Sequence, residues 1–227
     1  MRNILKECTN ITVPNIRQNR QLKFLSNLLF SWGVSFGVSC GISVAISQTG
    51  FCFLEQSNQL GQAKHSKKIE GLDLVRGVPV LVEFKQARLG TVVIFLSSRC
   101  PCSASHQSTL DRLSKEFASR GFRFVGVHSN ADEEVEVARD YFKKSGLTFP
   151  VIQDRKSEIA DTLGAFKTPH VFVLGTDGEI LFQGGVDNSH ISNLADKQYL
   201  RDALALIVDG KKPSQKEVRV LGCEIRR

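Results

Sequence analysis

From about residue 71 onward, apolar positions fall into blocks whose spacing alternates between strand-like and helix-like. Val80–Phe84 and Thr91–Leu96 are β-branched runs separated by a break at Gly90, which predicts two strands. Ser103–Arg120 places Leu110, Leu113, Phe117 and Ala118 at three-and-four spacing and ends at Gly121, which predicts a helix. A strand over Phe122–Val127 and a second helix over Asp132–Lys144 follow. That helix has acids at its start and lysines at its end, complementing the helix dipole. Phe149–Ile152 reads as a short strand, Ser157–Leu163 as a short helix closed by Gly164, and His170–Leu174 as another strand. The turn signal Thr176-Asp177-Gly178 then leads into Ile180–Phe182, so the last two strands suit a hairpin. A final helix, Tyr199–Val208, stops at Gly210 and Pro213. This order predicts an α/β sandwich around one mixed sheet. The unbroken runs VVIFL and FVGV suit parallel strands buried on both faces.

The chain ahead of this region has a different character. Phe24–Ser47 carries no charged side chain, and a basic, acid-poor stretch precedes it. A run of about 20 uncharged apolar and small residues is long enough to span a bilayer or to act as the apolar part of a secretory signal. Ala45 and Ser47 have the small-residue spacing of a cleavage site, giving a mature start near Gln48; a lipid-anchor reading at Cys40 is weaker, because Gly37 stands where a branched apolar residue is expected. Residues 1–47 are therefore expected to be a signal peptide or membrane anchor, and the polar, aperiodic residues 48–70 a linker. Residues 71–227 form the folded domain in this reading. The protein is expected to be exported, either periplasmic or membrane-anchored and facing an oxidising compartment, with an organelle-targeting presequence as the alternative.

Composition changes this picture little. Hydrophobic residues at 41% and charged residues at 23% are enough for a packed core. The net charge of +7 could suggest a nucleic-acid partner, but residues 1–47 alone hold Arg2, Lys6, Arg17, Arg20 and Lys23 against Glu7. The remainder is an ordinary surface with no basic stripe interleaved with aromatics, so no nucleic acid is expected.

Of the six cysteines, Cys8 and Cys40 would leave with a cleaved leader, which keeps Cys52, Cys100, Cys102 and Cys223. A domain of this size does not need staples, so four scattered cysteines point to chemistry more than to a disulfide framework. Cys100 stands where a strand gives way to a helix. Free backbone N–H groups and the helix dipole there favour negative charge, which lowers a thiol pKa. Cys100 is the expected nucleophile.

Several motifs carry a family resemblance. Phe95 to Pro101 has an aromatic five residues before a Cys-Pro pair, and Lys167-Thr168-Pro169 precedes the strand His170–Leu174 and its turn. Together they resemble thioredoxin-fold proteins. His106, the segment Phe124 to Asp132, the stretch Gly184 to Ser189 and the tail Val220 to Ile225 resemble the redoxin, or peroxiredoxin-like, subgroup related to alkyl hydroperoxide reductase and thiol-specific antioxidant. The resemblance covers about residues 70 to 227. It implies a thioredoxin-like three-layer sandwich, a redox-active cysteine, and a cis Thr168-Pro169 bond lying against the reactive sulfur, its edge able to pair with a bound polypeptide. The chain departs from both parent patterns. A dithiol thioredoxin has its second cysteine where Ser103 stands, and the peroxidase pattern finds its Ser or Thr at Ser97 but not its proline at Val93.

The expected function is a thiol-dependent oxidoreductase, in which the Cys100 thiolate attacks a disulfide or a peroxide. Oxidised Cys100 could be resolved by Cys102, which is slightly preferred, by Cys223, or by an external thiol. Expected site residues are Cys100, Cys102, Thr168 and Pro169, supported by Cys223, Ser97, Ser103 and His106. No cofactor or resident metal is expected. The partners would be thiol or disulfide proteins or peroxides, with an external thiol reductant. Two rival readings remain open: a thioredoxin-fold metallochaperone holding Cu(I) through Cys100, Cys102 and His106, and a non-catalytic partner-binding domain.

Overall fold

A computed structural model describes residues 67–227, so the expected leader and nearly all of the expected linker lie outside the described residues. A seven-stranded sheet runs through the domain, and its strands in spatial order are β2 (Pro79–Glu83), β1 (Lys68–Asp73), β5 (Val151–Gln153), β4 (Phe122–His128), β3 (Gly90–Phe95), β7 (His170–Leu174) and β8 (Ile180–Gly184). β3, β4 and β5 are mutually parallel, whereas the β1-β2, β1-β5, β3-β7 and β7-β8 pairs are antiparallel. The sheet is mixed, as the element order implies, and β7-β8 is the expected hairpin.

β3 lies at the centre, and all six of its residues are buried. Because side chains alternate across a strand, Val92, Ile94 and Leu96 pack on one face with α1 (Pro101–Ala118), α2 (Val135–Lys144) and α4 (Tyr199–Val208). Val93 and Phe95 pack on the other, with Ala160 of α3 (Glu158–Leu163) and with Ile225 near the C-terminus. Three layers result. Each large apolar side chain taken fully from water contributes about 1.5–3 kcal/mol, so the doubly covered strand is the most strongly anchored part of the domain.

Three elements are absent from the sequence-based reading. β1 starts inside the stretch read as linker, because only Ile69 of its first three residues is apolar and buried. β6 (Lys167–Thr168) and β9 (Cys223–Glu224) form a separate two-stranded ladder. Neither has a strand-like pattern of its own; each exists through the other. Two helices also begin elsewhere than expected. α1 starts two residues early because Cys100 serves as its N-cap and Pro101 fills the first turn, where its missing N–H costs nothing. α2 starts late because Glu133 is turned into the interior.

Candidate active site

The hydrogen-bonding demands of a helix start place Cys100. Its backbone is extended, its carbonyl accepts from the Ala104 N–H at 3.0 Å, and its Sγ accepts from the Ser103 N–H at 3.4 Å. The sulfur thus sits at the positive end of an 18-residue helix. Opposite it, β6 brings up the Thr168 carbonyl oxygen, 3.0 Å from Cys100 Sγ, and the Thr168-Pro169 bond is cis. The resemblance implied this juxtaposition.

The tail supplies the second sulfur. β9 pairs antiparallel with β6 so that Cys223 stands opposite Thr168, and Cys223 Sγ lies 2.8 Å from Cys100 Sγ. Neither is in a disulfide, nor is Cys102. Cys100, at 2% exposure, is closed over, while Cys223 is only half-buried. All three sulfurs lie within 4.8 Å of one another. Cys102, on the first turn of α1, has its sulfur 3.4 Å from Nδ1 of the exposed His190.

The electrostatics separate the sulfurs. Hydrogen bonds from Cys102 and then Cys223, together with the Ser103 N–H, favour the Cys100 thiolate more than burial opposes it, and its pKa is held far below the ordinary thiol range. Cys102 is driven the other way, by its hydrogen bonds to Cys100 and Cys223 and then by burial, so it remains a thiol. One sulfur is therefore held as a thiolate, and its sequence neighbour is a proton-bearing donor to it.

The loop into Cys100 is tied down by Ser97 and Glu133. The Ser97 hydroxyl accepts from the N–H groups of Arg99 (3.2 Å) and Cys100 (3.0 Å) and donates to Glu133 Oε1 at 2.5 Å. A hydroxyl has one donor and two acceptor sites. All three are used, so Ser97 shapes the loop and has no donor left for a substrate. Glu133 also accepts from the Ser98 N–H (2.9 Å), the Ser98 hydroxyl and His128 Nε2 (3.0 Å). Burial would raise its pKa, but the hydrogen bonds from His128, Ser97 and Ser98 outweigh that and bring it down to about 2. An ionised, fully engaged carboxylate thus holds the loop. Among the acids Asp132, Glu133 and Glu134, nothing in the sequence marks Glu133 as the one that turns inward.

His106 is not available as a base or metal ligand. Its Nδ1 lies 2.7 Å from the Cys102 carbonyl oxygen and its Nε2 lies 3.0 Å from Asp187 Oδ2, with both side chains buried. Burial lowers its pKa, yet the hydrogen bonds to Asp187 and to the Cys102 carbonyl more than reverse this, favouring the imidazolium. The His106-Asp187 pair joins α1 to the segment that carries His190. This corrects the copper ligand set: Cys223 stands where His106 was expected, completing three sulfurs around one point. Ser103 contributes its backbone N–H to Cys100, and its hydroxyl accepts from the Ser97 N–H at 3.4 Å. His170, packed between Phe166 and Phe172, has its pKa lowered to about 4 by burial and is neutral at physiological pH.

The family model for Redoxin matches residues 62–198, which include the Cys100 helix start and the Thr168-Pro169 loop. The chain belongs to the redoxin family. Its thioredoxin-like fold agrees with a solved structure of an uncharacterised conserved protein from Geobacillus kaustophilus, with a TM-score of 0.65, 24% identity, and coverage of 72% of this chain and 90% of that one. In sequence this redoxin is similar to the thiol-disulfide oxidoreductase ResA of Halalkalibacterium halodurans, 25% identical over 92 residues. It is also similar to the sporulation thiol-disulfide oxidoreductase A of Bacillus subtilis, 28% identical over 91 residues. Each alignment takes in 40% of this chain, and the chain spans about half the length of these curated relatives, 51% and 55% respectively.

Proposed function

We infer that this redoxin is an exported thiol-disulfide oxidoreductase in which Cys100 is the nucleophile and Cys223 its redox partner. The observation that carries the reading is the 2.8 Å approach of Cys223 Sγ to a Cys100 Sγ seated at a helix N-terminus. The Cys100 thiolate attacks one sulfur of a disulfide, a Cys100–substrate bond forms, and the other substrate sulfur leaves as a thiolate. Cys223, deprotonated as it attacks, displaces the remaining substrate thiolate and closes a Cys100–Cys223 disulfide. The substrate has then gained two electrons and the protein has lost them. An external thiol reductant attacks the half-buried Cys223 with Cys100 leaving, since a low-pKa thiolate is the better leaving group, and a second reductant thiol then displaces Cys223, which restores the dithiol form and releases the reductant as its disulfide. A peroxide could replace the disulfide, giving a Cys100 sulfenic acid that Cys223 resolves with loss of water. The uncharged segment Phe24–Ser47 supports a place outside the cytoplasm, and the names of the relatives support thiol-disulfide chemistry.

Thiolate absorbance near 240 nm tests the premise. A titration of the reduced protein should retain about one thiolate per chain well below pH 7, where an ordinary thiol of pKa ~8.5 is protonated. Cys100→Ser should remove that signal. A wild-type titration with no thiolate below pH 7 would contradict the reading.

The three clustered sulfurs support a second reading, a soft-cation site for Cu(I) formed by Cys100, Cys102 and Cys223. It stands only if protein purified without chelator carries stoichiometric copper that Cys223→Ser loses.

A further inference from the structure

We propose that the C-terminal tail is a tethered substrate strand, which fills the edge where a polypeptide disulfide would dock and must lift before Cys100 can act on one. This rests on the reading of Cys100 as the nucleophile. Strand addition relies on main-chain hydrogen bonds along an exposed edge, with alternate side chains entering pockets for specificity. The tail has each of these features. β9 pairs with β6 in antiparallel register, Lys167 opposite Glu224 and Thr168 opposite Cys223, and the Ile225 N–H donates to the Phe166 carbonyl at 3.0 Å. Cys223 and Ile225, two residues apart, both reach inward: one sulfur meets Cys100, and the isoleucine, 6% exposed, joins the core cluster beside Phe95 and Val125. Glu224 between them is exposed.

Anchors on either side fix the register. Upstream, the tail runs along the edge of β8, where the Gln183 N–H donates to Lys216 O (2.8 Å) and the Val218 N–H donates to Gln183 O (3.1 Å). Downstream, the Ala131 N–H donates to Arg226 O (2.7 Å), and the Arg227 guanidinium binds Asp161 and the Ala165 carbonyl, both at 2.7 Å. Gly222 allows the close approach: a Cβ there would lie 2.1 Å from the Thr168 carbonyl oxygen. A ligand on the same chain acts at an effective concentration on the order of millimolar, above that of most soluble protein disulfides, so the tail wins the edge by default. A small disulfide needs only the Cys100 sulfur uncovered by a local shift of Cys223, whereas a polypeptide needs the length of the edge as well.

The test compares the first chemical step, Cys100 attack in a single turnover of reduced full-length protein, on two probes: insulin and hydroxyethyl disulfide. Gly222→Ala moves the tail without removing a sulfur. It should speed attack on insulin by about tenfold, the equivalent of loosening the tail by about 1.4 kcal/mol, and should change attack on hydroxyethyl disulfide by clearly less. Arg227→Ala, which removes only the terminal anchor, should move the insulin rate in the same direction by less. Equal effects of Gly222→Ala on both probes, or no effect on insulin from either variant, would overturn the tethered-strand proposal while leaving Cys100 as the nucleophile. Attack on hydroxyethyl disulfide that survives in Cys100→Ser would instead overturn the underlying reading.

Discussion

Cys100→Ser is expected to lower disulfide turnover by on the order of a thousandfold or more, since the reaction then has no activated nucleophile. The alcohol keeps the shape of the site but not its chemistry. Serine remains almost entirely protonated at neutral pH even where a helix terminus and two neighbouring thiols favour an anion, and among the described residues no imidazole stands by to deprotonate it. His106 has both ring nitrogens engaged and His190 faces Cys102. The fold should survive, because Ser can cap a helix as Cys100 does. A disulfide-reductase assay beside a denaturation curve separates the two effects: activity lost, stability changed by less than about 1 kcal/mol. Residual turnover within tenfold of wild type would mean that another sulfur does the chemistry.

Cys223→Ser should stop the cycle one step later. The first attack needs only Cys100, so one equivalent of substrate thiol should still be released. The second displacement then has no nearby attacker, and the mixed disulfide on Cys100 accumulates. Steady-state turnover should fall by about a hundredfold or more, in keeping with the loss of a positioned intramolecular partner. Mass spectrometry of the quenched reaction should find the substrate half attached at Cys100. Cys102→Ser should lose far less, because that sulfur is held as a thiol and supports the Cys100 thiolate without receiving the bond. If Cys102→Ser stalls the cycle and Cys223→Ser does not, the two sulfurs have exchanged roles.

The central part of this arrangement was legible in the sequence because it is local. A β-branched run ending in Cys-Pro and an amphipathic helix specify a strand, a cap and a helix within about 30 residues, and Cys100 lands at the helix N-terminus as expected. Thr168-Pro169 was legible through its motif, and it faces that sulfur. What could not be read is long-range. The choice between Cys102 and Cys223 depends on where the stretch from Asp209 to Gly222 travels, and no periodicity records that β9 will pair with β6. Cys102 is close in sequence, yet a sulfur 123 residues away also comes within 2.8 Å of Cys100 Sγ. Glu133 looked like one of three acids opening a helix, and only the packed structure turns it toward Ser97 and His128. His106 looked like a candidate ligand because its acceptor, Asp187, is 81 residues downstream.

The assignment of Cys223 as the partner is tested most directly by oxidising the reduced protein with one equivalent of a small disulfide, alkylating the remaining thiols and mapping the cysteines by mass spectrometry. The expected product is a single Cys100–Cys223 disulfide with Cys102 alkylated. A Cys100–Cys102 disulfide, or a Cys100 adduct that Cys223 never displaces, would contradict it.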